Sequence, residues 1–170
     1  MLKKVNTATI VVLLLNASLS MAQTNAAKHS SVGAWKLDLT QSKITSDAPP
    51  KAATLTILKD MPDAMAWRWD GVDATGKSIT FAWSGPLDGS MQDLKDGNGQ
   101  VVGKMSMKRD GDAMLRHTEA PDGGTFDARG TTSADGNTFT EVETMKSKDG
   151  KTATDTTVYR RVKGGKPGSK

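Results

Sequence analysis

The chain contains no cysteine at all. Disulfides, zinc–thiolate sites and cysteine nucleophiles are therefore excluded, and the fold must be held by its core alone. Histidine is nearly as scarce. His29 and His117 are the only two, so a multi-histidine metal site cannot be built within one chain. Aromatic residues are 5% of the total, so each one that lands in a predicted strand carries weight. Only one long apolar run exists, Ala8 to Leu15, and it is shorter than the roughly 20 residues a membrane-spanning helix needs.

That run has the layout of a secretory signal. Lys3 and Lys4 precede it, and the small residues Ser20 and Ala22 stand at the −3 and −1 positions before Gln23. Residues 1–22 are thus expected to be a cleaved signal peptide. No cysteine follows the run, which rules out a bacterial lipoprotein anchor. Cleavage would remove two lysines and no acid, lowering the formal charge from +4 to +2. Lys and Asp are interspersed through the remainder, so there is no basic footprint for nucleic acid. The expected localisation is periplasmic or secreted.

Four segments follow from composition and pattern: the signal at 1–22, a polar flexible lead at 23–31, a folded domain at 32–162, and a disordered tail at 163–170. The folded segment is punctuated by Asp-Gly pairs at Asp70-Gly71, Asp88-Gly89, Asp96-Gly97, Asp110-Gly111, Asp122-Gly123, Asp135-Gly136 and Asp149-Gly150. Gly takes the positive φ of tight turns, and Asp bonds its own nearby backbone. Most of the later pairs recur at the spacing of one strand plus one turn.

Between the turns the hydrophobic period is two. Met65, Trp67 and Trp69 share a face, as do Ile79, Phe81 and Trp83, and Leu55 and Ile57. Met105 and Met107 alternate with Lys104, Ser106 and Lys108. Helix is expected at most as a short piece between Asp38 and Ala48. Eight to ten antiparallel strands in a meander leave two bare edges unless they close, so an all-β up-and-down barrel is expected, with a β-sandwich as the alternative.

The first strand, Gly33-Ala34-Trp35-Lys36-Leu37-Asp38, resembles the Gly-x-Trp opening of lipocalins and related barrels. The resemblance implies that Trp35 closes one end of the barrel and that a basic residue of the last strand packs over its ring. Arg160 and Arg161 stand at that place. The chain is also similar to a group of exported bacterial lipocalin-like proteins of unassigned function. The matching stretches are Gly33 to Lys43, the Gly71-Val72-Asp73-Ala74-Thr75-Gly76-Lys77 turn, Asp149-Gly150-Lys151 and Val158-Tyr159. These motifs speak to fold and are nearly silent on activity.

The candidate ligand-binding residues are Trp67, Trp69, Phe81, Trp83, Arg116 and Met105. The aromatics would line an apolar cavity if the barrel is hollow, or pack as plain core if it is filled. Methionines suit adaptable pockets and also serve as gap-fillers, and a thioether copper site at Met105-x-Met107 is a remote option. Arg68, Arg116 and Arg129 are candidates for holding a ligand carboxylate from an inward face, Arg116 foremost, whereas an outward arginine would pair with a surface acid.

His117 would serve a barrel enzyme only from inside a cavity; no Gly-x-Ser-x-Gly elbow accompanies it. The pairs Glu141-x-Glu143 and Asp110-x-Asp112 are read as surface carboxylates without chemistry. No cofactor, metal or stable membrane anchor is expected. The leading function is an exported binding protein for a small apolar or amphipathic molecule. The alternative is an envelope interaction module with a filled barrel.

Overall fold

The structure, a computed structural model, describes residues 30–46 and 49–164. The expected signal peptide at 1–22, most of the lead and most of the tail lie outside the described residues. Ten strands run in order: β1 (Gly33–Leu37), β2 (Ala52–Asp60), β3 (Ala64–Val72), β4 (Ser78–Pro86), β5 (Gln92–Asp96), β6 (Val101–Asp110), β7 (Ala113–Glu119), β8 (Thr125–Thr132), β9 (Thr138–Lys146) and β10 (Thr152–Arg161). Each pairs antiparallel with its sequence neighbours, and β1 closes on β10, so the sheet is a closed up-and-down barrel. Closure satisfies the edge groups that an open sheet would leave bare. Among the described residues there is no helix; residues 39–41 make a single turn, with Gln41 and Ser42 N–H donating to the Asp38 carbonyl.

The turns at one end share a chemistry. In β3–β4, Asp73 Oδ1 accepts from the N–H groups of Thr75 and Lys77, and Gly76 takes a φ of 97°. The same five-residue return is used at Asp96–Gln100, Ala120–Gly124 and Ser147–Lys151. One expected turn is absent. Asp70-Gly71 lies inside β3, because the Trp69 indole covers Gly71 so closely that an added Cβ would sit 2.2 Å from the ring. Gly71 is a space for an aromatic ring, not a bend.

The first strand meets the last as the closure argument requires. Trp35 pairs with Arg161 and is 1% exposed. The Arg161 guanidinium lies 4.1 Å from the Trp35 ring centroid. Its nitrogens donate to the carbonyls of Gly136, Val32 and Ser30 at 2.7, 3.0 and 2.7 Å. Gly33 adopts a φ of 133°, and a Cβ there would stand 3.4 Å from Arg161 Nη1, so glycine serves this corner twice. Ser31 also belongs to the end wall, bonding Asp60 through its hydroxyl.

Two clusters form the core. Trp35, Leu37, Ala53, Ile57 and Tyr159 pack together along β1, β2 and β10. Met65, Trp83, Met105 and Met107 fill the wall at β3, β4 and β6. The outer face carries ion pairs such as Arg68–Asp70, Lys104–Asp93 and Arg129–Asp110.

Candidate functional site

The barrel is hollow. A cavity of about 750 Å³ lies between the clusters, walled by inward residues of every strand except the shielded parts of β4 and β6. Its size falls within the usual range for small-molecule sites. Inward alternation puts Leu55 and Ile57 of β2, Met65, Trp67 and Trp69 of β3, and Phe81 of β4 on one side. Met114, Phe126 and Phe139 extend the apolar wall across β7, β8 and β9.

The predicted residues divide. Trp67, Trp69, Phe81 and Arg116 line the cavity. Trp83 and Met105 lie behind it: they are 3% and 0% exposed, and the Trp83 Nε1–H donates to the Met105 carbonyl at 3.1 Å. Both are packed core beneath the wall. Trp69 is held by its Nε1–H donating to the Tyr159 hydroxyl at 3.1 Å and by a tilted contact with Phe81 at 5.9 Å. Burial pushes the Tyr159 phenol up to about 12, so it stays a neutral partner at ordinary pH.

The polar side of the cavity is a group of charges that the sequence reading treated separately. Arg116 points inward from β7 and bonds Glu141 and Glu143 of β9, all three about one-fifth exposed at the side chain. Arg116 reaches across β8 because the residues between are small. Arg116 pairs with Ala128, which pairs with Glu143; Met114 pairs with Gly130, which pairs with Glu141. The guanidinium of Arg116 also lies against the Thr118 hydroxyl at 3.4 Å. Burial works against the Arg116 charge, yet the two glutamates outweigh it and raise its pKa above the ordinary value.

Glu143 behaves differently. Burial dominates and lifts its pKa, with Arg116 pulling it back and Glu141 pushing it further up. Asp155 of β10, paired in register with Glu143, is buried as well. It accepts the Thr45 N–H and hydroxyl, each at 2.7 Å, tying the β1–β2 connection to the cavity wall. A second ion pair, Arg109–Asp60, lies near the Trp35 end. Burial raises the Asp60 pKa, and the bonds from Ser31 and Arg109 more than reverse it.

The other charged candidates lie elsewhere. Arg68 and Arg129 are outer-face residues paired with Asp70 and Asp110. His117 faces out, between the inward Arg116 and Thr118, with Nδ1 2.7 Å from Asp127 and 38% of its side chain exposed. It is not placed to act on anything in the cavity. Glu141 and Glu143, which the spacing alone left as surface acids, turn out to be inward. The missed signal was pairing: register across β7, β8 and β9 brings them to Arg116.

No family model matches the chain, and no curated protein matches its sequence. Solved structures do. The zebrafish ileal bile acid-binding protein, complexed with cholic acid, superimposes with a TM-score of 0.51 at 14% identity, covering 78% of this chain and all of the other. A mutant of the fluorescent protein UnaG covers 77% of this chain and 95% of the other at 18% identity, with a TM-score of 0.48. A fatty acid-binding protein from Drosophila melanogaster brain covers 77% and 99% at 17% identity, with a TM-score of 0.43. The chain therefore has the closed antiparallel barrel fold that the zebrafish bile acid-binding protein also has.

Proposed function

We propose that this protein binds a small apolar or amphipathic molecule inside its barrel. The observation that carries the reading is the interior cavity of about 750 Å³ with Trp67, Trp69, Phe81 and Phe126 on its apolar side and Arg116, Glu141 and Glu143 on its polar side. An interior of that size is costly to leave unfilled in a protein made only to be stable, since lost contacts around a cavity weaken the fold. The likeness to a bile acid-binding barrel supports the same reading. A filled barrel acting only through its surface is the weaker alternative, because it gives the space no role.

We further propose that the chain works outside the cytoplasm, on the strength of the signal-like residues 1–22. A barrel without cysteine suits either redox environment, so that segment alone supports the proposal.

The test is titration of the purified protein with a neutral, environment-sensitive apolar dye. The reading expects saturable binding at one dye per chain. Val102 lines the cavity, so Val102→Trp is expected to weaken the dye by at least about tenfold while leaving the unfolding midpoint close to wild type. Dye binding that never saturates, or that ignores Val102→Trp, would overturn it.

A further inference from the structure

An inward arginine in a barrel suggests a carboxylate ligand, but Arg116 is already held. Its Nη2 bonds both Glu141 and Glu143. An entering carboxylate would have to displace one glutamate and then sit beside two carboxylates of like charge, one of them left unpaired. The cavity as a whole points the same way. Its ionisable wall residues are Arg109 and Arg116 against Asp60, Asp112, Glu141, Glu143 and Asp155, a formal excess of three negative charges.

We infer that the cavity selects an amphipathic cation, a molecule with a protonated amine or quaternary ammonium head and an apolar body. The inference rests on the ligand-binding reading above and names the ligand class for that same cavity. Glu141 and Glu143 each offer acceptor lone pairs beyond those engaged by Arg116; a protonated amine has donors and no acceptor, and a quaternary ammonium meets the same carboxylates by charge alone. The aromatic residues Trp67, Trp69, Phe126 and Phe139 border the same space, and the negative π faces of such rings attract a cation. Trp35 also borders the cavity, but one face of its ring is already taken by Arg161. The geometry thus separates two ends of a ligand: a cationic head at the β9–β10 carboxylates, and an apolar body against β2, β3 and β4.

Three probes of equal chain length test the inference: dodecylammonium, dodecanol and dodecanoate, each titrated by calorimetry at neutral pH below its micellar concentration. The expected order is ammonium tightest, alcohol next and carboxylate weakest, with about tenfold or more between the two charged probes. Dodecanoate binding as tightly as dodecylammonium would overturn the inference while leaving the ligand-binding reading intact. Failure of all three to bind would overturn both.

Glu143→Gln leaves Glu141 to hold Arg116 and is expected to shrink the ammonium-to-carboxylate ratio. The double variant Glu141→Gln, Glu143→Gln frees Arg116 and is expected to reverse the preference. An unchanged ratio in folded Glu143→Gln would count against the inference even if the double variant does not fold.

Discussion

Arg161 places its guanidinium over Trp35 and gives its nitrogens to three backbone carbonyls at the barrel end. The stacking contributes about 0.5–2 kcal/mol, and hydrogen bonds to a charged group contribute more than neutral ones. Arg161→Met keeps the chain length and loses both, so chemical denaturation should show a loss of about 2–4 kcal/mol. An equal change at Arg160, whose nearest acid is Asp38 at 3.4 Å on the surface, should cost well under half as much.

His117 supplies a pH test at the same scale. Its bond to Asp127, opposed by partial burial and aided by Glu119, raises its pKa above 6.5. The folded chain then holds the His117 proton more tightly than the unfolded chain does. The resulting stability is complete below about pH 6.5 and disappears as pH rises through the raised folded value. Asp127→Asn should lower the NMR titration midpoint of His117 and destabilise the protein at about pH 5.5, with the difference gone by about pH 9.

Some of this was legible in the sequence. The Gly-x-Trp strand and the terminal arginines are both visible there, and cross-strand pairing of first with last brings Trp35 to Arg161. The Arg116–Glu141–Glu143 group was not legible, because its members come from β7 and β9 and meet only over Ala128 and Gly130 of the intervening strand.

At the level of elements, strand positions follow the two-residue period closely, since each strand needs only its own pattern to declare an inner face. The glycines are harder to read. Gly71, Gly85 and Gly130 lie within strands and make room for Trp69, Trp83 and Phe139, a packing role that looks identical to a turn in a linear reading.

They also differ in what a methyl group would meet. At Gly103 it would stand 2.7 Å from the Glu119 carbonyl oxygen, which belongs to the paired backbone. At Gly130 it would meet the Phe139 ring edge at 2.6 Å, and that ring borders open cavity. Gly103→Ala should therefore lower stability by about 1–3 kcal/mol, as overpacking against fixed atoms does. Gly130→Ala should cost less in thermal unfolding but weaken the apolar dye, because Phe139 turns into the space the dye needs.

The seam between β4 and β5 is the barrel's thinnest. It has two register pairs, Phe81↔Asp96 and Ala82↔Lys95, whereas β3 and β4 share nine. A register shift at Leu94/Lys95 loosens β5 further on its other side. Native-state hydrogen exchange should be fastest for the amides of β5 and slowest in β2 and β3. Uniform protection around the barrel would contradict this ordering.

For the whole molecule, the argument from unpaired edges to closure is general, which is why a barrel was the expected architecture, with a β-sandwich as the alternative. Whether the interior is empty could not be anticipated, because the same tryptophans and methionines make either a filled core or a cavity wall. The structure shows both uses side by side: Trp83 and Met105 are filling, and Trp67 and Trp69 are wall.

The methionines give the most direct test of the hollow, ligand-holding barrel. Met65, Met107 and Met114 border the cavity, while Met61 and Met91 are exposed outside it. In a methyl-labelled NMR titration with the neutral apolar dye, the account predicts that the Met65, Met107 and Met114 signals move together and saturate at one equivalent, with Met61 and Met91 unmoved. Shifts confined to Met61 and Met91, or no saturation at one equivalent, would contradict it.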